Sequence, residues 1–130
     1  MIRHHKKYFV DASHALHCAL LPLQMNAAKE QCVTGYGVDR AVNDSGGKEL
    51  VAARQRLGGC PTGDARTTGS FRHRHTRAII HAVGPDYRAD WMPHPLKDDY
   101  VRWRQQQDLL LLAAYRAALR EAQVSKAVDN

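Results

Sequence analysis

The chemistry legible in these 130 residues gathers around one amide, one carboxylate and the turn between them. Asn26 closes a mostly apolar stretch. Thr34-Gly35-Tyr36-Gly37 then opens onto Val38-Asp39-Arg40-Ala41-Val42, a run that predicts a helix start. A strand leading to an amide, a glycine turn and a helix N-terminus together suit an anion. Glycine lets the backbone come close to a ligand, and the unpaired N–H groups and dipole of a helix start favour phosphate. In open α/β sheets such ligands lie beyond the carboxyl ends of the strands. Asp39 falls in the first helical turn, where the dipole favours a carboxylate and where it would hold a water by hydrogen bonding. An ordinary strand-to-helix turn fits the same residues, and two glycines alone do not separate the readings.

Other groups are chemically quieter. Cys18, Cys32 and Cys60 are odd in number and unevenly spaced, giving neither a disulfide framework nor a CxxC metal signature. Cys60 reads as a buried thiol. The eight histidines show no metal-ligand spacing, so no metal and no cofactor is expected. His81, after two isoleucines, reads as a core histidine with its hydrogen bonds satisfied. Arg72, His73, Arg74, His75 and Arg77 form a basic cluster that would touch nucleic acid, or simply face solvent. Trp91 and Trp103 read as packing residues.

The elements that must position these groups follow from periodicity. Residues 15–25 are mostly apolar and their end reads as a strand leading to Asn26, although Pro22 argues against a central ladder position. Ser45-Gly46-Gly47 interrupts the helix that starts at Val38. Residues 48–57 form an amphipathic helix, with Leu50, Val51, Ala53 and Leu57 near one face. Gly58-Gly59 ends it. Residues 60–70 are turn-rich. Residues 78–83 make the best strand, bounded by Gly84-Pro85. Residues 98–123 predict the clearest helix, with Val101, Leu109, Leu112, Tyr115, Leu119 and Ala122 as its apolar stripe. Alternation of strand and helix points to α/β with a parallel sheet.

Composition agrees with one globular domain over residues 1–130, being 44% hydrophobic and 25% charged. No apolar run approaches the ~18 residues of a membrane span. No secretory signal is visible, and a reducing cytoplasm is the simpler expectation for these cysteines. The net charge of +6 suits an anionic partner, and also serves solubility alone.

Taken in order, these residues resemble a family. Asn26-Ala27-Ala28 followed by Gly35-Tyr36-Gly37-Val38-Asp39-Arg40-Ala41-Val42 is similar to the NAAN…GGGGVDxAI segment of macrodomains. Gly59-Cys60-Pro61-Thr62-Gly63-Asp64-Ala65 resembles the family's GCPTGEA, and Ile79-Ile80-His81-Ala82-Val83-Gly84-Pro85 its VIHTVGP. The helix with Ala114-Tyr115-Arg116 and Ala118-Leu119 is similar to the CYRNSL-type helix that follows.

The resemblance implies a three-layer α/β/α sheet, incomplete in this chain, that binds ADP-ribose or ADP-ribosylated proteins, and it makes poly-ADP-ribose a second candidate polyanion for the cluster from Arg72 to Arg77. Many members hydrolyse ADP-ribosyl esters or O-acetyl-ADP-ribose. By this match Thr34, Gly35, Tyr36, Gly37 and Val38 line the diphosphate and distal ribose. Asn26 sits beside that ribose, and Asp39 is the catalytic group that orients water. The chain departs from the pattern at several points. Lys29 replaces the second asparagine of NAAN, and Thr34 and Tyr36 stand among the family's glycines. The adenine-reading aspartate would fall near Ala15, and no STGxYGYP loop occurs. A truncated macrodomain is expected, with weak binding, little turnover and an unpaired sheet edge beside residues 79–83 that invites self-association. A non-catalytic interaction module and a basic nucleic-acid-binding module remain alternatives.

Overall fold

The computed structural model describes residues 21–88 and 97–128. The elements run β1 (Gln24–Ala27), α1 (Val38–Arg56), β2 (Asp64–Gly69), β3 (Ala78–Val83) and α2 (Lys97–Val128). The segments at 1–20 and Trp91, with the expectations placed on them, lie outside the described residues.

β3 is the centre of the sheet, in the order β1-β3-β2. It runs parallel to β1, with Gln24 opposite Ile79 and Ala27 opposite Ala82. It runs antiparallel to β2, with Asp64 opposite Val83 and Gly69 opposite Ala78. Two expectations are thereby corrected. The sheet is mixed rather than parallel, and the strand at 78–83 is paired on both sides, so the outer sides of β1 and β2 are the edges of the described sheet. The turn-rich reading of residues 60–70 is corrected too, because β2 lies within them. Its sequence, DARTTG, lacks apolar alternation. Its partner's free backbone groups, which must be paired when buried, define it as a strand.

Residues 79–83 are buried in succession because β3 is covered on both faces. Alternation sends Ile79, His81 and Val83 to one face and Ile80 and Ala82 to the other. On the first face Ile79 packs with Val42 and Leu50 of α1, and Val83 packs with Cys32 and Cys60. On the second, Ile80, Ala82 and Ala65 pack with Ala117 and Ala118 of α2. The result is a three-layer α/β/α arrangement. Full burial of a side chain such as Leu50 or Ile79 contributes about 1.5–3 kcal/mol.

The two helices depart from their sequence readings in instructive ways. α1 continues through the glycine pair but kinks at Gly47, whose φ of 78° and ψ of −170° are not helical. A side chain at Gly46 would collide with Leu50. In α2 most of the expected apolar stripe faces outward: Val101, Leu109, Leu112, Tyr115 and Leu119 are exposed, and Ala122 alone of the stripe packs against the core. The face on the sheet is built from Ala114, Ala117 and Ala118 instead. Gly63 abuts Leu110 and Ala113 there, with ideal Cβ separations of 3.2 and 3.5 Å. The helix lies close to the sheet, with alanines over Ala65 and Ala82 and Leu110 seated beside Gly63.

Candidate functional site

The turn from β1 into α1 presents its residues to solvent. Thr34, Tyr36, Gly37 and Val38 are exposed, Tyr36 at 83% and Val38 at 63%. Gly37, at φ 58°, is the N-cap, and no side chain caps the helix start. The first bond inside the helix runs from the Ala41 N–H to the Gly37 carbonyl at 3.1 Å. The N–H groups of residues 38–40 therefore precede the helical ladder and carry its positive pole. At the mouth of the turn Lys29 Nζ stands 4.6 Å from the Tyr36 ring centroid, a cation–π contact on the surface.

Beneath this open loop lies a chain of buried polar groups on the α1 face of the sheet. Asp39 is 3% exposed, and Asn26, His81 and Arg54 are fully buried. Asp39 Oδ1 accepts from Asn26 Nδ2 at 2.6 Å and pairs with Arg54 Nη1 at 2.7 Å. A carboxylate can only accept, so this contact fixes which way the Asn26 amide points. The same nitrogen, 3.1 Å from His81 Nδ1, must donate to it. His81 therefore carries its proton on Nε2 and donates to Thr68 Oγ1 at 2.8 Å. Burial, then the Arg54 charge, pushes the His81 pKa down to about 4, with Asp39 pulling the other way. The imidazole is neutral and fully engaged, as its position between apolar neighbours suggests.

Arg54 makes two further bonds, from Nε to the Cys32 carbonyl at 2.7 Å and from Nη1 to Asn43 Oδ1 at 2.7 Å. Asn43 in turn donates to the Val33 carbonyl at 2.7 Å. Asn26 Oδ1, Asp39 Oδ2 and Arg54 Nη2 are buried without a hydrogen-bond partner. Asp39 Oδ2 lies against Gly35, where any Cβ would collide with it.

The structure thus places Thr34 to Val38 on an exposed loop and Asn26 and Asp39 in the network below it. Sequence reasoning missed Arg54, Asn43 and Thr68. One signal was present: Arg54 falls four residues after Leu50 and three before Leu57, in the middle of an apolar helix face. Cys60 is a buried thiol, raised to about 11 by burial, and burial raises Cys32 as well. The basic cluster is divided. His73 Nε2 lies 2.9 Å from the Val42 carbonyl, Arg72 reaches Glu49 at 3.7 Å, and Arg74 and His75 are exposed. Among the described residues no group of three or more His, Cys, Asp or Glu side chains could hold a metal ion. Nor, among those residues, is any helix long and apolar enough to cross a membrane.

The sequence model of the Macro domain matches residues 25–128. The chain belongs to the Macro domain family. A macro domain-containing protein of Ralstonia nicotianae is 38% identical over 95 residues, which span 73% of this chain and 47% of that protein. The ADP-ribose glycohydrolase MACROD2 of Xenopus laevis is 35% identical over 74 residues, 57% of this chain and 18% of that one. Among solved structures, the Oceanobacillus iheyensis macrodomain with ADP superposes with a TM-score of 0.65 at 30% identity, covering 82% of this chain and 52% of that one. This macrodomain chain spans about half, or less, of the length of these relatives.

Proposed function

We propose that this macrodomain binds ADP-ribose, free or attached to protein, through the Thr34–Val38 loop and the start of α1, and that it turns over ADP-ribosyl or O-acetyl-ADP-ribose esters slowly or not at all. The observation that carries the binding half is the exposed loop closing on a helix start that no side chain caps. A diphosphate there would meet backbone N–H groups and the positive pole of the α1 segment that runs from Val38 to the kink at Gly47. The structures of the Oceanobacillus iheyensis relative with ADP, and of a point mutant of it with ADPR, support the same ligand class.

The slow-turnover half rests on Asp39. Its carboxylate is 3% exposed, and Oδ1 is held by both Asn26 and Arg54. Hydrolysis requires a water held in line with the bond, and a misplacement of ~1 Å can cost about a hundredfold in rate. Lys29 adds a flexible cation where the family pattern has a neutral amide.

Calorimetry with ADP-ribose tests the binding half. Heat and a thermal shift are expected, and neither at about 1 mM ligand, the Kd worth about −4 kcal/mol, would overturn it. Release of ADP-ribose from an aspartyl- or glutamyl-linked substrate tests the other half. Robust turnover by the wild type would show that Asp39 is free to act.

A further inference from the structure

We infer that Arg54 is a positioning residue of the loop site, acting from beneath it through Asp39; the inference rests on the binding reading above. Arg54 is fully buried, so it does not reach a ligand on the exposed loop. Its three bonds bracket that loop. On the incoming side it holds the Cys32 carbonyl, which Cys32 presents from a left-handed conformation at φ 59°. Through Asn43 it also reaches the Val33 carbonyl. On the outgoing side it holds Asp39 Oδ1. One guanidinium therefore fixes both ends of the segment from 32 to 39.

This contact depends on the kink. Asp39 and Arg54 lie in the first and last turns of α1. In a straight helix, positions 15 apart would be separated by about 22 Å. The break at Gly47 folds the second half of the helix back, and the pair meets at 2.7 Å. Arginine suits the position because its planar fork serves several acceptors at fixed angles; a lysine ammonium has the charge without the fork.

The geometry also decides which oxygen of Asp39 is left over. Asn26 and Arg54 both take Oδ1. Oδ2 has no hydrogen-bond partner and faces Gly35, at the base of the loop. Arg54 thus orients the carboxylate so that Oδ2 alone is turned toward the segment that would hold a ligand hydroxyl or a water.

Two measurements on Arg54→Lys test this. In the unliganded protein, backbone amide order parameters from residue 33 to 39 should fall from rigid values of about 0.85 to below about 0.6, while those of Ile80 to Val83 stay rigid. Unchanged order in the loop, or an equal fall across β3, would overturn the inference, the latter by showing a general structural role. Titration with ADP-ribose then compares backgrounds. Arg54→Lys should weaken binding about tenfold alone and less than about twofold when combined with Asp39→Asn, because residues acting through one another are not additive. Equal losses in both backgrounds would refute action through Asp39. A wild type that bound no ADP-ribose while Arg54→Lys loosened only the loop would contradict the proposed function and leave Arg54 as the loop's anchor.

Discussion

Acid should unfold this protein through His81 before its carboxylates titrate. The ring is fully buried, and its Nδ1 faces an amide nitrogen whose orientation Asp39 dictates. A proton on Nδ1 would set one N–H against another, beside the Arg54 charge. The folded pKa of about 4 lies below the ordinary value of 6.5, so the unfolded chain takes up the proton first. Stability is complete above pH 6.5 and falls as pH drops toward 4. At 1.36 kcal/mol per unit, the full loss is about 3 kcal/mol, with about 2 kcal/mol gone by pH 5. The assay is urea unfolding of the wild type and of His81→Gln, which cannot titrate at this site, from pH 7 to pH 4.5. The wild type's advantage over the variant should shrink by about 2 kcal/mol between pH 7 and pH 5. The His81 ring should also stay neutral by NMR below pH 5. An advantage independent of pH, or a ring titrating near 6.5, would refute the reasoning.

Asp39→Ala leaves the buried Arg54 guanidinium without its counter-charge and should cost about 3–5 kcal/mol, read as a lower urea midpoint; a loss under about 1 kcal/mol would show that the pair is not buried in solution. Gly35→Ala should cost about 1–3 kcal/mol by driving the new methyl into the Asp39 carboxylate, and a neutral result in thermal melts would place that carboxylate elsewhere. On α2, Ala118→Leu should cost about 1–3 kcal/mol while Leu119→Gln stays within about 0.5 kcal/mol, since Ala118 is buried against the sheet and Leu119 is 62% exposed. The reverse order of midpoints would restore the leucine stripe as the packed face.

The contrast between those two α2 residues explains what periodicity could and could not reveal. The spacing of Val101, Leu112, Tyr115 and Leu119 does define one helix face, but it is not the face against the sheet. A periodicity argument assumes that the core takes the larger apolar side chains. Here α2 meets Ala65 and Ala82 with Ala117 and Ala118, so the assumption fails. β2 was illegible for a related reason: its polar residues acquire strand geometry from pairing with β3, a contact between distant parts of the chain. β3 itself was legible because burial on both faces demands a continuous apolar run, and glycine and proline bound it.

The candidate site divides in the same way. Gly37 and the helix start at Val38 follow from local chemistry, and Asp39 stands out as a first-turn carboxylate. Arg54 does not, because a straight helix would carry it away from Asp39. Only the left-handed backbone at Gly47 brings the two together, and neither glycine of the pair announces the direction of the bend. Lys29 and Tyr36 read as two separate departures from the family pattern, yet they meet at 4.6 Å on the surface.

Backbone NMR of the protein titrated with ADP-ribose tests the central claim most directly. Saturable shifts are expected, confined to the amides from Thr34 to Arg40 and to those they adjoin, with Arg74 and His75 unmoved. No shifts at about 1 mM ligand, or shifts centred on Arg74 and His75, would contradict it.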